Sequence, residues 1–429
     1  MGFPSPEFTF QQDDQDLVGY LLARQNCAYL SDATSKLLGK LQTASLADHK
    51  TDLMTVWPMV LTDALHTLKG LDTREFGRET DGAETFFVRE SLGIPELEDV
   101  LKAFSEFESL MYGARPDRYR DHLVHAFRVW IIGQGLMKAC FGGALLYDGQ
   151  DPVNDANLKI APAEWEAMWG IVSLCHDVGY PLGAVDGVNA RARRTFQKQG
   201  LEAIGDLRFD FSAKVRPLQD TLIRIMASRV DLVDKPNCGY LTHLQNKYYL
   251  KFLNSFDRLH HGIVSALLVA RALVYFRESD YSHDNVSLLS QEDARQFLIR
   301  REILRAIAAH TCPDIYHLRF NTLAFLLFIV DEIQGWGRPT FEEYVDGAPC
   351  AGESATVHEF SEKTIRIQIE AKNLEGEIAK HRLVGLATRL RSAVDTKLLQ
   401  KLTFDFAVMC KSGTVALRLA DGKLTREGF

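Results

Sequence analysis

Apolar residues recur at spacings of three and four along most of the chain, the pattern of helices that bury one face. Between about residues 10 and 110 the stretches DLVGYLLARQNCAYLSDATSKLLGKL and TVWPMVLTDALHTLKGL carry this period, separated by polar connectors. Residues 71 to 95, richer in Gly, Asp, Glu and Thr, read as a loop. From about 100 to 340 the helical pattern dominates through DHLVHAFRVWIIGQGLMKACF, APAEWEAMWGIVSLCHD, HHGIVSALLVARALVYFRE, ARQFLIRREILRAIAAHT and NTLAFLLFIVDEIQGW, which predicts an all-α core. The period is lost in GRPTFEEYVDGAPCAGESATVHEF, which has Gly, Pro and Ser punctuation. Beyond it TIRIQIEA alternates as a strand does, residues 374 to 394 give one amphipathic helix, and LTFDFAVMCKSGTVALRLADG reads as two strands around Lys411-Ser412-Gly413. The expected architecture is mainly α, with a helical N-terminal region (1–100), a helical core (101–345) and a small α+β unit (350–429).

Composition narrows the function classes. The 429 residues, 46% of them hydrophobic, suffice for more than one buried core. A net charge of −8, from 49 Lys+Arg against 57 Asp+Glu, gives no overall field that gathers nucleic acid, so no general nucleic-acid binding is expected and a local basic groove stays open. Seven scattered cysteines with no C-x-x-C pair read as reduced thiols, neither a disulfide framework nor a zinc ribbon. The N-terminus has no leader pattern and no apolar run approaches about 18 residues, so the expectation is a cytoplasmic chain without a membrane partner.

Five apolar helix segments each carry a histidine or an aspartate. His125 opens HAFRV, His176 and Asp177 close IVSLC, His261 opens HGIVSALLVA, His310 closes LRAIAAH, and Asp331 follows LAFLLFIV. Singly, each reads as a hydrogen-bonded core residue. Together they would be costly uncompensated, at about 1–3 kcal/mol each, and convergence on cations would offset that cost. Imidazole with carboxylate and no thiolate suits hard or borderline metals. Asp177, with two oxygens, suits a bridge between two ions.

On these residues the chain resembles the HD-domain metal-dependent phosphohydrolases, over roughly residues 115 to 340. HAFRV is similar to the family's first histidine motif, LCHDVGY to its HD motif, LHHGIVSALL to the third histidine, AIAAHT to the fourth, and FIVDEIQGWGR to the terminal aspartate. The six-residue pattern is that of the dinuclear members, such as HD-type diadenosine tetraphosphate hydrolases and cyclic-di-AMP phosphodiesterases. The resemblance implies two divalent transition metals, Mn, Fe or Co ahead of Mg or Zn. His125, His176, Asp177 and Asp331 would hold one, and Asp177, His261 and His310 the other. It also implies an insertion over residues 186–256. Two features depart from the pattern: Tyr180 stands where many members have a lysine, and the triplet in HDVGYP abuts the pair, unlike the HD-GYP phosphodiesterases, where it lies well downstream.

The expected activity is cleavage of a nucleotide, cyclic or dinucleotide phosphate bond by a metal-activated water, with a nucleotide-type small molecule as partner. A homo-oligomer is compatible with this. The competing reading is a nucleotide-sensing module that binds without turnover and signals through the C-terminal unit. Asp177 and His317 are the catalytic candidates, and Arg128, Tyr180, Arg191, Arg194 and Arg338 the substrate contacts. His317 would donate a proton near the fourth ligand. His122, one turn before His125, suits a pocket or the surface equally. Arg128 and Arg338 suit bidentate phosphate contacts or structural ion pairs. The run NARARRTFQKQG, with Arg191, Arg193, Arg194 and Lys198, reads as a phosphate-neutralising cap or as a solvated helix face.

Overall fold

The computed structural model describes residues 8–11, 14–23, 27–43, 46, 50–69, 92–111, 121–141, 145, 158–183, 185–201, 216–233, 239–277, 288–317, 319–335, 354–361, 363–371 and 374–429. Its helices are α1 (Asp14–Ala23), α2 (Asp32–Lys40), α3 (Lys50–Lys69), α4 (Ile94–Met111), α5 (His122–Phe141), α6 (Pro162–Cys175), α7 (Tyr180–Gly183), α8 (Val185–Lys198), α9 (Arg216–Ala227), α10 (Asn246–Asp257), α11 (His261–Ala272), α12 (Val274–Arg277), α13 (Gln291–Ala309), α14 (Leu323–Gln334), α15 (Gly376–Ala393) and α16 (Thr396–Lys401). The strands are β1 (Phe8–Gln11), β2 (Ser228–Val233), β3 (Gly239–Leu244), β4 (Ser354–Phe360), β5 (Thr364–Glu370), β6 (Thr403–Cys410), β7 (Gly413–Ala420) and β8 (Lys423–Glu427).

The architecture is mainly helical with a sheet built largely from the C-terminal residues. Helix α6 is its axis. Pro162 starts it at a position that needs no N–H donor, and every residue from Glu164 to Cys175 is buried among α3, α5, α13 and α14. An all-round apolar helix of this kind belongs in a core. Its approach to α5 is set by Gly133: a Cβ there would lie 1.9 Å from the Trp169 ring. The Trp169 indole N–H donates to the Trp130 carbonyl at 2.8 Å and fixes the same contact. At the end of α6 the Trp57 indole donates to the Leu174 carbonyl at 3.1 Å, satisfying an oxygen that a helix terminus leaves unpaired. Thr322 and Ser290 cap α14 and α13, accepting from the Phe325 and Asp293 amides at 3.3 and 3.1 Å.

The sheet runs β1-β4-β5-β6-β7-β8, with β5 and β6 parallel across the α15–α16 crossover and its other pairs antiparallel. Alternation drives it: Ile365, Ile367 and Ile369, Phe404, Phe406 and Val408, and Val415, Leu417 and Leu419 are buried on one face. The strand, helix and hairpin expected over residues 364–420 lie where the alternation put them.

Four departures from the sequence reading stand out. The core is not all-α, because β2 and β3 form an antiparallel hairpin between residues 228 and 244. The segment expected to be irregular contains β4, whose alternating half GESATVHEF was hidden behind Gly and Pro punctuation. The N-terminal region is not wholly helical. Its strand β1 pairs with β4, Phe8 opposite Val357, so the ends of the chain share one sheet across the expected boundaries. Finally, the first long helical stretch is two helices, α1 and α2, and the stretch after His260 breaks at Leu273 between α11 and α12. The C-terminal unit is tied to the helical core by Phe360, whose ring lies 5.3 Å from Phe141 and 6.5 Å from Phe325 between centroids, and by the Arg389–Glu332 ion pair. Most of the loop expected at 71–95 lies outside the described residues.

Candidate metal centre

The six candidate ligands come from five helices and meet at the end of α6. His176 is the C-cap residue of α6 and Asp177 follows it into the turn 176–179, so the HD pair does end a helix. His125 lies in the first turn of α5, His261 opens α11, His310 caps α13, and Asp331 lies near the end of α14.

Asp177 divides the cluster into two donor sets. Its Oδ2 lies 3.7 Å from His125 Nε2 and 3.4 Å from His176 Nε2. Its Oδ1 lies 3.2 Å from His261 Nε2 and 3.5 Å from His310 Nε2. Within the first set His125 Nε2 is 3.2 Å from His176 Nε2 and 3.2 Å from Asp331 Oδ1. Within the second, His310 and His261 bring their Nε2 atoms to 3.2 Å. A metal bonded at about 2.1 Å sets neighbouring ligand atoms about 3.0 Å apart in octahedral and about 3.4 Å in tetrahedral geometry. The donor spacings, 3.2 to 3.7 Å, lie around the tetrahedral value and above the octahedral one, and the triads His125–His176–Asp177 and Asp177–His261–His310 could each hold an ion.

Tautomers support the fit. The His176 and His310 Nδ1 atoms face the Ser173 and Ile307 carbonyls at 2.7 and 2.5 Å, and a carbonyl only accepts, so each Nδ1 carries hydrogen. His125 Nδ1 likewise meets Gln334 Oε1. The Nε2 lone pairs are then turned inward. Two such acceptors 3.2 Å apart, on His125 and His176, repel unless a cation lies between them. Burial pushes the His176 pKa down, against the charges of Asp177 and Asp331. Asp177 is held well below the usual carboxylate range: burial opposes ionisation, but His176, His261 and His310 outweigh it. For His310 burial opposes protonation, and the Asp177 hydrogen bond and charge, with Asp331, outweigh burial and push its pKa up.

Close backbone contacts hold the sets together. At Gly179 a Cβ would lie 2.5 Å from the Ser265 amide nitrogen and 2.6 Å from the His261 oxygen, while the Gly179 amide donates to Ser265 Oγ at 2.8 Å. At Gly262 a Cβ would lie 2.6 Å from the Ile307 oxygen and 2.9 Å from the His310 ring. Ahead of His261, Leu259 has φ +52° and closes a Schellman turn on α10. Its amide reaches the Phe256 carbonyl at 2.8 Å, and the His260 amide reaches Ser255 at 3.1 Å. That turn swings the chain from α10 directly into α11.

The cluster opens on one side. The His125, His176, Asp177 and His310 side chains are 2%, 0%, 7% and 3% exposed, whereas His261 and Asp331 are 27% and 24% exposed. Tyr180 packs on that side, its ring 5.4 Å from His261 and 4.3 Å from His122 between centroids. His122 is buried, and with Trp57, Phe104 and Asp177 it lines a small apolar cavity.

The remaining candidates are placed differently. His317 does not join the ligand rings: its ring packs on Phe325 and Phe328, and its backbone pairs with Ala393 and Asp395 in the seam to the C-terminal unit. α13 ends at Ala309 with His310 as its cap, and the chain beyond Pro313 runs to that seam, so the proton-donor role expected of His317 has no geometric support. Arg128 is half-buried one turn after His125. Arg194 is exposed on α8, the Arg191 side chain lies outside the description, and Arg338 lies outside the described residues.

Sequence reasoning missed Gln334. It stands three residues after Asp331 on α14, which puts both on the face that meets His125, a spacing readable only once that helix was paired with α5. It also missed two buried arginines on α13. Arg301 donates to the Ser228 carbonyl at 3.2 Å and pairs with Glu302. Arg305 donates to Met226 at 3.4 Å and covers the Tyr248 ring at 4.6 Å. Together they fasten α9, β2 and α10 to α13. If Gln334 fixes the His125 tautomer, Gln334→Leu should weaken metal binding about 10- to 100-fold while the fold persists; a metal titration by calorimetry, with circular dichroism alongside, measures both.

No helix among the described residues is long and apolar enough to cross a membrane. Compared with protein-family models, curated proteins and solved structures, the chain matches none of them.

Proposed function

We propose that the cluster is a dinuclear metal centre and that the protein is an HD-type metal-dependent phosphohydrolase acting on a nucleotide-type phosphate bond. The observation that carries this reading is the division of Asp177, one oxygen toward His125 and His176, the other toward His261 and His310. His125, His176, Asp177 and Asp331 would hold one divalent cation, and Asp177, His261 and His310 the other. When bound, such a pair supplies a water ionised near neutral pH and a positive clamp for phosphoryl oxygens. Manganese, iron and cobalt suit the donor set of imidazole and carboxylate.

The chain's own residues do the rest. The carbonyls of Ser173 and Ile307 and the Gln334 amide hold three imidazoles in the tautomer that turns Nε2 inward. Burial of His176 and Asp177 keeps bulk water from the inner side. Exposure of His261 and Asp331 leaves one face for a phosphate group, with Tyr180 packed at its rim. In the hydrolysis a water oxygen bonds to phosphorus, the ester P–O bond breaks, and the water's proton ends on the departing oxygen.

The test is hydrolysis of bis(p-nitrophenyl) phosphate and a panel of nucleotides by protein loaded with Mn or Fe. Turnover that chelation removes and metal restores is expected. Metal binding without turnover of any phosphate ester would favour a nucleotide-sensing module.

A further inference from the structure

Helix α8 begins eight residues after Asp177, joined to the turn through α7, and α7 packs on α11 beside the exposed His261. Its first turn is anchored by buried Val185 and Asn189. Beyond that anchor the described side chains from Ala190 to Leu201 are all exposed. Between Gly187 and Leu201 stand Arg191, Arg193, Arg194 and Lys198 with no acidic residue, in a chain of net charge −8. The same stretch exposes an aromatic ring, Phe196 at 47%, one turn after Arg193 on the same face.

Exposed arginines interleaved with an exposed aromatic are what single-stranded nucleic acid engages, phosphates on the cations and a base on the ring. An acidic peptide would use the charges and leave the ring without a flat partner. Phe196 lies 11 residues beyond Val185, about 16 Å along the helix at 1.5 Å per residue, and Val185 itself stands eight residues after Asp177. We propose that α8 is a docking ridge for a short single-stranded oligonucleotide, with Phe196 stacking a base, Arg193, Arg194 and Lys198 pairing phosphates, and the strand leading to the metal centre. This rests on the phosphohydrolase reading and names its substrate class.

The experiment is fluorescence anisotropy of a labelled single-stranded pentanucleotide with the full chain over a range of salt. It is paired with kcat/KM on the pentanucleotide and on bis(p-nitrophenyl) phosphate for the Mn-loaded protein. The wild type should bind. Phe196→Ala should weaken binding about tenfold, as loss of one stacked base does. Arg193→Ala/Arg194→Ala should weaken it at least as much and flatten the plot of log affinity against log salt by about 1.4, two phosphate contacts at about 0.7 each. In both variants the ratio of kcat/KM on the pentanucleotide to that on the generic ester should fall about tenfold, with circular dichroism unchanged. No pentanucleotide binding, equal binding by variants and wild type, or preference for anionic phospholipid vesicles would each overturn the ridge. Variant-sensitive binding by a protein that hydrolyses neither substrate would uphold the ridge and remove the hydrolase reading.

Discussion

Asp177→Ala should lose both metals and fall in phosphoesterase activity by about a thousandfold or more. The magnitude follows from what one side chain does. Asp177 reaches into both donor sets, with each oxygen within 3.7 Å of two imidazole nitrogens. In the proposed centre its charge would offset two cations in a buried site, where removal of a single well-placed donor costs about 10²–10³ in rate. Asp177→Asn keeps the shape and removes the charge, so it should fail almost as completely. His261→Ala offers the contrast: it touches only the Oδ1 set, and one ion should persist with His125, His176 and Asp331. Elemental analysis of the three variants, alongside circular dichroism, separates these outcomes. Asp177→Ala that keeps two ions would contradict the bridge.

Gly179→Ala should damage the second set through the backbone. The added methyl would meet the Ser265 amide nitrogen at 2.5 Å and the His261 carbonyl at 2.6 Å. Neither is a side chain that can rotate away, so the turn carrying Asp177 must retreat from α11. Overpacking of this kind costs about 1–3 kcal/mol, and each kcal/mol lowers Tm by about 2–4 °C in a domain of 150–250 residues. The retreat also separates Asp177 Oδ1 from His261, which now lie 3.2 Å apart. Metal occupancy at His261 and His310 should therefore drop before that at His125 and His176. Calorimetry with metal titration measures both effects; an unchanged Tm with full occupancy would show that the contact is not limiting.

The clustered residues were legible because each member interrupts or ends an apolar run, a position where a polar group needs a partner, and the five runs are long enough to be helices on periodicity alone. What joins them was not legible. Gln334 is an ordinary polar residue at a helix end until α14 is laid against α5. Arg301 and Arg305 look like the solvated side of α13, yet they are buried because β2, β3 and α9 close over them. His317 followed His310 closely enough to suggest a shared site, and only the change of direction after Pro313 carries it to the seam with α15. In the C-terminal unit, strict alternation exposed β5, β6 and β7. β1 escaped because four residues make no period, and its existence depends on a partner about 350 residues away in sequence, Phe8 opposite Val357. Pairing between chain ends is a property of the tertiary structure, and no local pattern announces it.

The most direct test of the centre is the metal content of the wild-type chain after loading with Mn or Fe and removal of loosely held ions. Two ions per chain, both lost in Asp177→Ala, is the predicted result. A ratio that stays at or below one under full loading would contradict a dinuclear centre bridged by Asp177.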